Sequence, residues 1–124
     1  MVWARRDGFT SLSKSASAFL VERGAYEDDD GTWRWRHDGK LIFPSPFRMD
    51  EESVDAFIGE IKCPTLALVA KEGVYRNTPK FVKERAAQFP WITLKWLEGN
   101  HHFHLEPETC LSVANEIQRF INQN

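Results

Sequence analysis

The chain has 124 residues, which suits one modest globular fold with a small hydrophobic core. Apolar residues make up 42% and aromatic residues 13% of it, and this composition argues against a disordered chain. The net charge of -2 gives no electrostatic basis for binding nucleic acid or an anionic membrane, and the two cysteines lack zinc-ribbon or disulfide-framework spacing. No apolar run reaches membrane-spanning length and the start lacks a signal-peptide core, so we expect a cytoplasmic protein.

Residues 1–48 form the less regular part of the chain. A partial apolar stripe predicts a helix around residues 10–23. The stripe consists of Leu12, Ala16, Phe19 and Leu20. Further along, "TWRWR" alternates as a strand does, and the "HDG" after it indicates a turn before "KLIF".

The same "TWRWR" segment also suits nucleic acid, because aromatic rings stack on bases and arginines meet phosphates. An acidic run, Glu27 to Asp30, precedes it, and the whole chain is negatively charged. We therefore favour a hairpin, with Trp33 and Trp35 on one face and the arginines on the other.

The pattern becomes regular after Arg48. Asp50 has the features of an N-cap for a helix that ends before Pro64. "TLALVA" follows as a short, continuously apolar run, which is typical of a parallel strand buried on both faces. Thr78 and Pro79 then open a second helix as N-cap and first residue. The side chains expected to face inward are, from the first helix, Val54, Phe57, Ile58 and Ile61, and from the second, Phe81, Val82, Ala86 and Phe89.

A further strand and a last helix complete this part. "WITLKWL" predicts the strand, and Pro107 is expected to begin a helix that runs to Asn122. The residues expected to face inward on it are Leu111, Ala114, Ile117, Phe120 and Ile121. Helix, strand, helix, strand, helix is the order of an α/β fold with parallel strands.

Three of the four histidines lie in "LEGNHHFHLEPE", residues 97–108, between the last strand and the last helix. A loop histidine at the carboxyl edge of a sheet can act as a general base, and H-H-x-H can also offer imidazoles to zinc. Zinc needs further ligands, and no second Cys/His cluster supplies them; Cys110 is expected on the helix. We therefore expect neither a metal nor a cofactor, and the spacing leaves two interpretations open, a general base or a polar loop whose histidines only hydrogen-bond their neighbours.

The order of these segments resembles the C-terminal part of an α/β-hydrolase domain. The resemblance is carried by "IKCPTLALVAKEG" and "ITLKWLEGNHHFHLEPETCLSVANEIQRFI", and its form is that of the serine hydrolase-like group. The stretch from "YEDDDG" to "IKCP" is similar to that group's cap segment and its return to the sheet. The resemblance implies an α/β fold in which residues 1–48 are a remnant of a helical and irregular cap. Residues 49–124 would be the C-terminal half of the core, with parallel strands flanked by helices.

The resemblance also implies two site residues. His101 falls at the position of the catalytic histidine, and His102 and His104 are expected to pack and orient the loop. The triad acid follows the preceding strand, where members of the superfamily carry an aspartate at the position of Gly73. Glu72 is the neighbouring carboxylate and is our candidate for that acid.

The nucleophile of such an enzyme lies in a G-x-S-x-G elbow, and these 124 residues contain none. We therefore expect a truncated fragment of a serine hydrolase that is inactive alone. Its full-length parent would cleave a small ester, thioester or amide. The alternative is a non-catalytic interaction module or a pseudogene-like product. An apolar strand without its neighbour should also favour self-association through the open edge of the sheet.

Overall fold

The computed structural model describes residues 12–124 and divides the chain after Arg48 into two compact units. Each unit has its own secondary structure. The first two residues of the helix predicted around 10–23 lie outside the described residues. The roles that the resemblance gives to the two parts, cap remnant and hydrolase core, stay predictions.

The first unit begins with helix α1, Lys14–Gly24. Ser13 caps it, because its side-chain oxygen accepts a hydrogen bond from the Ala16 N–H at 3.1 Å. Phe19, which was expected on the apolar stripe, is 61% exposed. Leu12 and Ala16 of the predicted stripe are buried, and the other buried residues in the described part of this unit are Ser17, Val21 and Ala25.

A short hairpin follows α1 and confirms the strand predicted at "TWRWR". Strand β1, Ala25–Glu27, pairs antiparallel with β2, Trp33–Trp35. Gly31 lies in the turn with a φ of 80°, a conformation that glycine adopts without strain. The Arg34 Nε atom is 2.6 Å from an Asp28 carboxylate oxygen, so the acidic run is bound to this arginine. "KLIF" is largely a 3₁₀ turn, Gly39–Ile42.

The second unit has the predicted order of helix, strand, helix, strand and helix. Its elements are α2 (Glu51–Gly59), β3 (Thr65–Glu72), α3 (Pro79–Ala86), β4 (Ile92–Asn100) and α4 (Cys110–Gln123). Asp50 caps α2 as expected, since its carboxylate accepts a hydrogen bond from the Ser53 N–H at 2.9 Å. Of the helices within residues 12–124, none is long and apolar enough to cross a membrane.

The strands β3 and β4 form a parallel pair, which confirms the α/β class. Thr65 pairs with Ile92, and the register continues to Ala70 and Leu97. On one face Val113 of α4 forms a buried cluster with Ala70 and Phe103. The other face bears α3, and Arg85 of α3 is ion-paired with Glu51 and Asp55, which join α2 to it.

The burial of α4 differs from the expectation. The helix begins at Cys110 rather than Pro107, and Val113 is its buried apolar residue, at 6% exposure. Leu111, Ile117 and Ile121 were expected to face inward but are 68%, 43% and 62% exposed. The apolar arc of α4 is wider than the area of sheet beneath it, because the sheet of this unit has two strands. Phe57 of α2 and Phe81 of α3 are likewise exposed rather than inward-facing.

Candidate functional site

The two candidate residues, His101 and Glu72, lie at the carboxyl end of the sheet, where β3 and β4 end. Parallel pairing places the last residues of both strands side by side. Glu72 closes β3 and lies opposite Asn100, which closes β4. His101 follows Asn100 directly, so the candidate base and the candidate acid leave neighbouring strands at the same level.

A β-bulge in β4 sets this alignment. From the Ala70–Leu97 pair to the Glu72–Asn100 pair the chain advances two residues along β3 and three along β4. Gly99 lies within the bulge with a φ of 112°, which favours glycine. A Cβ atom there would lie 2.9 Å from the Phe103 Cβ atom and 3.1 Å from the Thr109 Cγ2 atom. The glycine of "EGN" therefore lets the strand end pack closely against the histidine loop.

Hydrogen bonds hold the loop after β4. The Asn100 side chain accepts a hydrogen bond from the His102 N–H at 2.7 Å, and the Asn100 carbonyl accepts one from the Phe103 N–H at 3.0 Å. The Thr109 hydroxyl donates to the Phe103 carbonyl at 2.6 Å. The Glu106 carbonyl accepts from the Cys110 N–H at 2.8 Å, which connects the loop to α4. The backbone around His101 is fixed at both ends.

The three histidines of the loop occupy different environments. His101 is exposed, and its ring centroid is 5.0 Å from that of His102 in an edge-on arrangement. His102 is buried, with 8% of its surface exposed, as a residue that packs the loop should be. His104 is exposed and meets Phe103 edge-on at 6.0 Å, so it contributes less to the packing than expected.

The turn after β3, beside the candidate acid Glu72, is built differently. Glu72 is exposed, and the turn after it is closed by hydrogen bonds from Gly73 N–H to the Ala70 carbonyl and from Arg76 N–H to the Gly73 carbonyl. A Cβ atom at Gly73 would lie 3.1 Å from both the Cβ and the carbonyl oxygen of Ala70. A side chain at this position would require Ala70 to give by a few tenths of an ångström, and the carboxylate at the end of β3 is that of Glu72.

Two other features concern whether the carboxyl end of the sheet could bind a metal ion or enclose a substrate. Within residues 12–124 no group of three or more His, Cys, Asp or Glu side chains is arranged to hold a metal ion. A cavity of about 610 Å³ lies at the amino ends of the strands, with Trp91 and Phe120 in its lining. That cavity is at the opposite end of the sheet from His101, so it does not enclose the candidate base.

Sequence reasoning missed the residues that support the loop. Glu106 is buried, at 7% exposure, although its position in "LEPE" suggested only a helix start. Thr109 proved to be the residue before α4 and a side-chain donor to the loop. Gly99 was the one available signal, because a glycine that closes a strand often marks a bulge or a close approach of backbones.

Solved structures of similar fold come from a bacterium. The crystal structure of the hypothetical protein PA1622 from Pseudomonas aeruginosa PAO1 matches with a TM-score of 0.85 and 29% identity. Its selenomethionine-substituted form matches with a TM-score of 0.83. Each match covers 98% of this chain but 42% of the Pseudomonas chain. This chain thus spans less than half the length of the solved structures that it resembles.

One protein that is similar to this chain has a name that refers to an activity. A serine hydrolase-like protein of Dictyostelium discoideum is 28% identical over 85 residues, which is 64% of this chain and 24% of that protein. No family model matches the chain. The chain is therefore an α/β protein with a parallel strand pair and with weak similarity, over part of its length, to a serine hydrolase-like protein.

Proposed function

We propose that this chain is the histidine-bearing part of a serine-type α/β-hydrolase, with His101 as the general base. The observation that carries the proposal is the pairing of Glu72 with Asn100 at the carboxyl edge of a parallel strand pair. Exposed Glu72 closes one strand, and exposed His101 directly follows the neighbouring strand, which supports the proposed pairing of acid and base. The similarity to a serine hydrolase-like protein supports the same reaction class.

In the proposed mechanism His101 removes the proton from a serine hydroxyl as the serine attacks the carbonyl carbon of an ester, thioester or amide. It then donates that proton to the leaving group, and it repeats both transfers when water hydrolyses the acyl-enzyme. Glu72 holds the imidazole in the tautomer that the first step requires. The hydrogen bond that the Asn100 side chain accepts and the one that the Thr109 hydroxyl donates keep the loop in place during both steps. No metal or cofactor is needed.

The proposed serine comes from polypeptide outside these residues, because the 124 residues contain no G-x-S-x-G. We expect the purified chain to hydrolyse p-nitrophenyl acetate no faster than its His101→Ala variant. Both rates would be measured at equal protein concentration against buffer alone. Activity in the purified chain that His101→Ala removes would contradict this expectation, because a serine of this chain would then be acting.

A chimera tests the proposal itself. Residues 12–124 of this chain replace the matched segment of the Pseudomonas protein, whose remaining length supplies the rest of the fold. We expect the chimera to hydrolyse p-nitrophenyl acetate and to react with a fluorophosphonate probe, as serines activated by a histidine do. The unaltered Pseudomonas protein is assayed in parallel, and a known serine esterase is the positive control. A folded chimera that does neither, while the Pseudomonas protein does both, would refute the proposed role of this chain.

A further inference from the structure

Asn100 is both the last residue of β4 and the first residue of the turn that carries His101. Its backbone carbonyl accepts a hydrogen bond from the Phe103 N–H at 3.0 Å, which closes a four-residue β-turn from Asn100 to Phe103. His101 and His102 are the two central residues of this turn. The backbone of the proposed base therefore has the conformation of the first central residue of a β-turn.

The sign of φ identifies the type of this turn. Turns of types II, I′ and II′ each need a positive φ at one or both central residues. In the described part of the chain no residue other than glycine has a positive φ, so His101 and His102 both have a negative φ. Together with the closing hydrogen bond, this makes the turn one of type I, in which both central residues lie near the helical region.

The side chain of Asn100 closes the same turn a second time. Its Oδ1 atom accepts a hydrogen bond from the His102 N–H at 2.7 Å. Asparagine is favoured at the first position of a type I turn because its short side chain reaches the N–H two residues further on. The two hydrogen bonds restrict the backbone angles of His101, and those angles decide which side-chain rotamers it can adopt. The direction of the imidazole therefore depends on Asn100.

The backbone of Asn100 is anchored on the side of the proposed acid. Asn100 pairs with Glu72, and this pair is the one that follows the bulge. A single residue thus pairs with the strand that ends in the acid and, through its side chain, holds the turn that carries the base. Thr109 also binds the loop, but it does so at the Phe103 carbonyl, at the far end of the turn.

The second half of the loop is held by other contacts. The His102 carbonyl accepts hydrogen bonds from the Leu105 N–H at 2.7 Å and from the Glu106 N–H at 3.2 Å. His102 and Glu106 are both buried, at 8% and 7% exposure. The loop cannot turn as a whole without moving these buried side chains. Loss of the Asn100 acceptor should therefore loosen the turn around the exposed His101 and leave the rest of the loop in place.

From these features we infer that Asn100 is a positioning residue, whose side-chain oxygen holds the His101 imidazole in line with the strand end that bears Glu72. The catalytic part of this inference rests on the proposed function, in which His101 is the general base. Asn100 touches neither the serine nor the substrate in that mechanism. It acts by restricting the conformations of His101, and the orientation of a catalytic group contributes directly to the rate.

Kinetics of the chimera with the Pseudomonas protein test the positioning role. Asn100→Ala should lower kcat about tenfold or more and leave KM nearly unchanged, because the base loses its orientation while the groups that bind the substrate remain. Asn100→Ser should restore part of the loss, since a serine hydroxyl accepts the same hydrogen bond more weakly. An unchanged kcat in an active chimera with Asn100→Ala would overturn the inference.

Asp50→Ala is the matched control for these variants. It removes a hydrogen bond of the same kind, from the Ser53 N–H to the Asp50 carboxylate at 2.9 Å, at the start of α2. A residue that only stabilises the fold should leave the kcat of the folded enzyme unchanged, so we expect no effect on kcat from Asp50→Ala. A loss of kcat equal to that of Asn100→Ala would mean that Asn100 acts through stability alone, which would also overturn the inference.

Nuclear magnetic resonance of the purified 124-residue chain tests the orientation of His101 without any hydrolysis. The rings of His101 and His102, with centroids 5.0 Å apart, should give nuclear Overhauser effects that Asn100→Ala weakens and Asn100→Ser partly retains. Effects between the paired residues Leu68 and Lys95 show that the sheet is intact in each variant. Ring effects of undiminished strength in Asn100→Ala would contradict the positioning role.

The two experiments distinguish this inference from the proposed function. An inactive chimera, together with ring effects that are lost in Asn100→Ala, would refute the proposed function and support the assignment of Asn100 as the residue that orients His101. An active chimera in which Asn100→Ala alters neither kcat nor the ring effects would support the proposed function and refute the role of Asn100.

Discussion

The two loops at the carboxyl edge of the sheet differ in how firmly they are held. The loop after β4 encloses Phe103 and His102 and is tied by side-chain hydrogen bonds at both ends. The turn after β3 exposes Val74 and Tyr75, at 57% and 46%, and is closed by backbone bonds alone within the described residues. The loop of His101, the proposed base, is thus fixed by its own unit, whereas Glu72, the proposed acid, has less support. Catalytic geometry depends on such supporting contacts, so in the proposed enzyme the two residues should contribute unequally.

The largest contrast is expected in the chimera with the Pseudomonas protein. His101→Ala should lower kcat/KM by about 10⁴-fold or more, since it removes both proton transfers. Glu72→Gln should cost less, at most about 10²-fold, because the carboxylate is exposed and acts only through the imidazole. Esterase kinetics measure both. His104→Ala is the control, and a large loss there with His101→Ala spared would show that the base has been assigned to the wrong histidine.

Alanine substitutions at Gly99 and Gly73 should differ in how much they lower the free energy of unfolding, since the two loops are held differently. Gly99→Ala should lower the free energy of unfolding by about 2–3 kcal/mol, because it forces a positive φ and a contact with the Phe103 Cβ atom. Gly73→Ala should cost about 1 kcal/mol, since its φ is ordinary and its contact with Ala70 is less close. Urea unfolding at one fixed protein concentration measures the difference. A larger cost at Gly73 would reverse the comparison.

Two threonines give a finer test. Thr109→Val removes the hydrogen bond to the Phe103 carbonyl and should lower the free energy of unfolding by about 1 kcal/mol. Thr78 precedes α3 without making a side-chain capping bond, so Thr78→Val should change it by less than about 0.5 kcal/mol. The same urea titrations apply. Equal losses would mean that the hydroxyl of Thr109 does not hold the loop.

The smallest effect concerns the attachment of α4 and depends on pH. Hydrogen bonds from Lys95, and next from Arg119, hold the pKa of Glu116 below its ordinary value of 4.5. A lowered folded-state pKa stabilises the fold above the ordinary value, and this contribution is lost as the pH falls through the folded-state pKa. The stability difference between wild type and Glu116→Gln should therefore be constant above about pH 5 and shrink below it. Lys95→Met should alter this profile more than Arg119→Met, because Lys95 makes the larger contribution to the lowered pKa. Unfolding curves at several pH values measure both effects. A larger change in Arg119→Met would contradict this prediction.

The order of elements in the second unit could be predicted from its sequence, because period and capping signals agree there. Asp50, Pro79 and the continuous "TLALVA" run are local signals that tertiary contacts did not override. The end of the sheet at which His101 and Glu72 lie could also be predicted, since the carboxyl ends of parallel strands meet there.

The burial of individual side chains could not be predicted in the same way. Ile121 and Leu111 belong to an apolar arc, but a periodic pattern does not say how much sheet lies beneath it. The start of α4 was placed too early because Pro107 is a helix-start signal, whereas the hydrogen bonds of Glu106 and Thr109 form turns there. The burial of Glu106 depends on its packing in three dimensions, which has no local sequence period.

The bulge at Gly99 allows the end of β4 to vary in length while the register of β4 with β3 is kept. Because the extra residue is absorbed after Leu97, the pairs from Thr65 to Ala70 do not depend on how many residues precede the histidine loop. A deletion of one residue between Leu97 and Asn100 would leave those pairs intact and restore regular alternation at the strand end. The end of β4 can therefore change in length at this point without any change to the register of the pairs from Thr65 to Ala70.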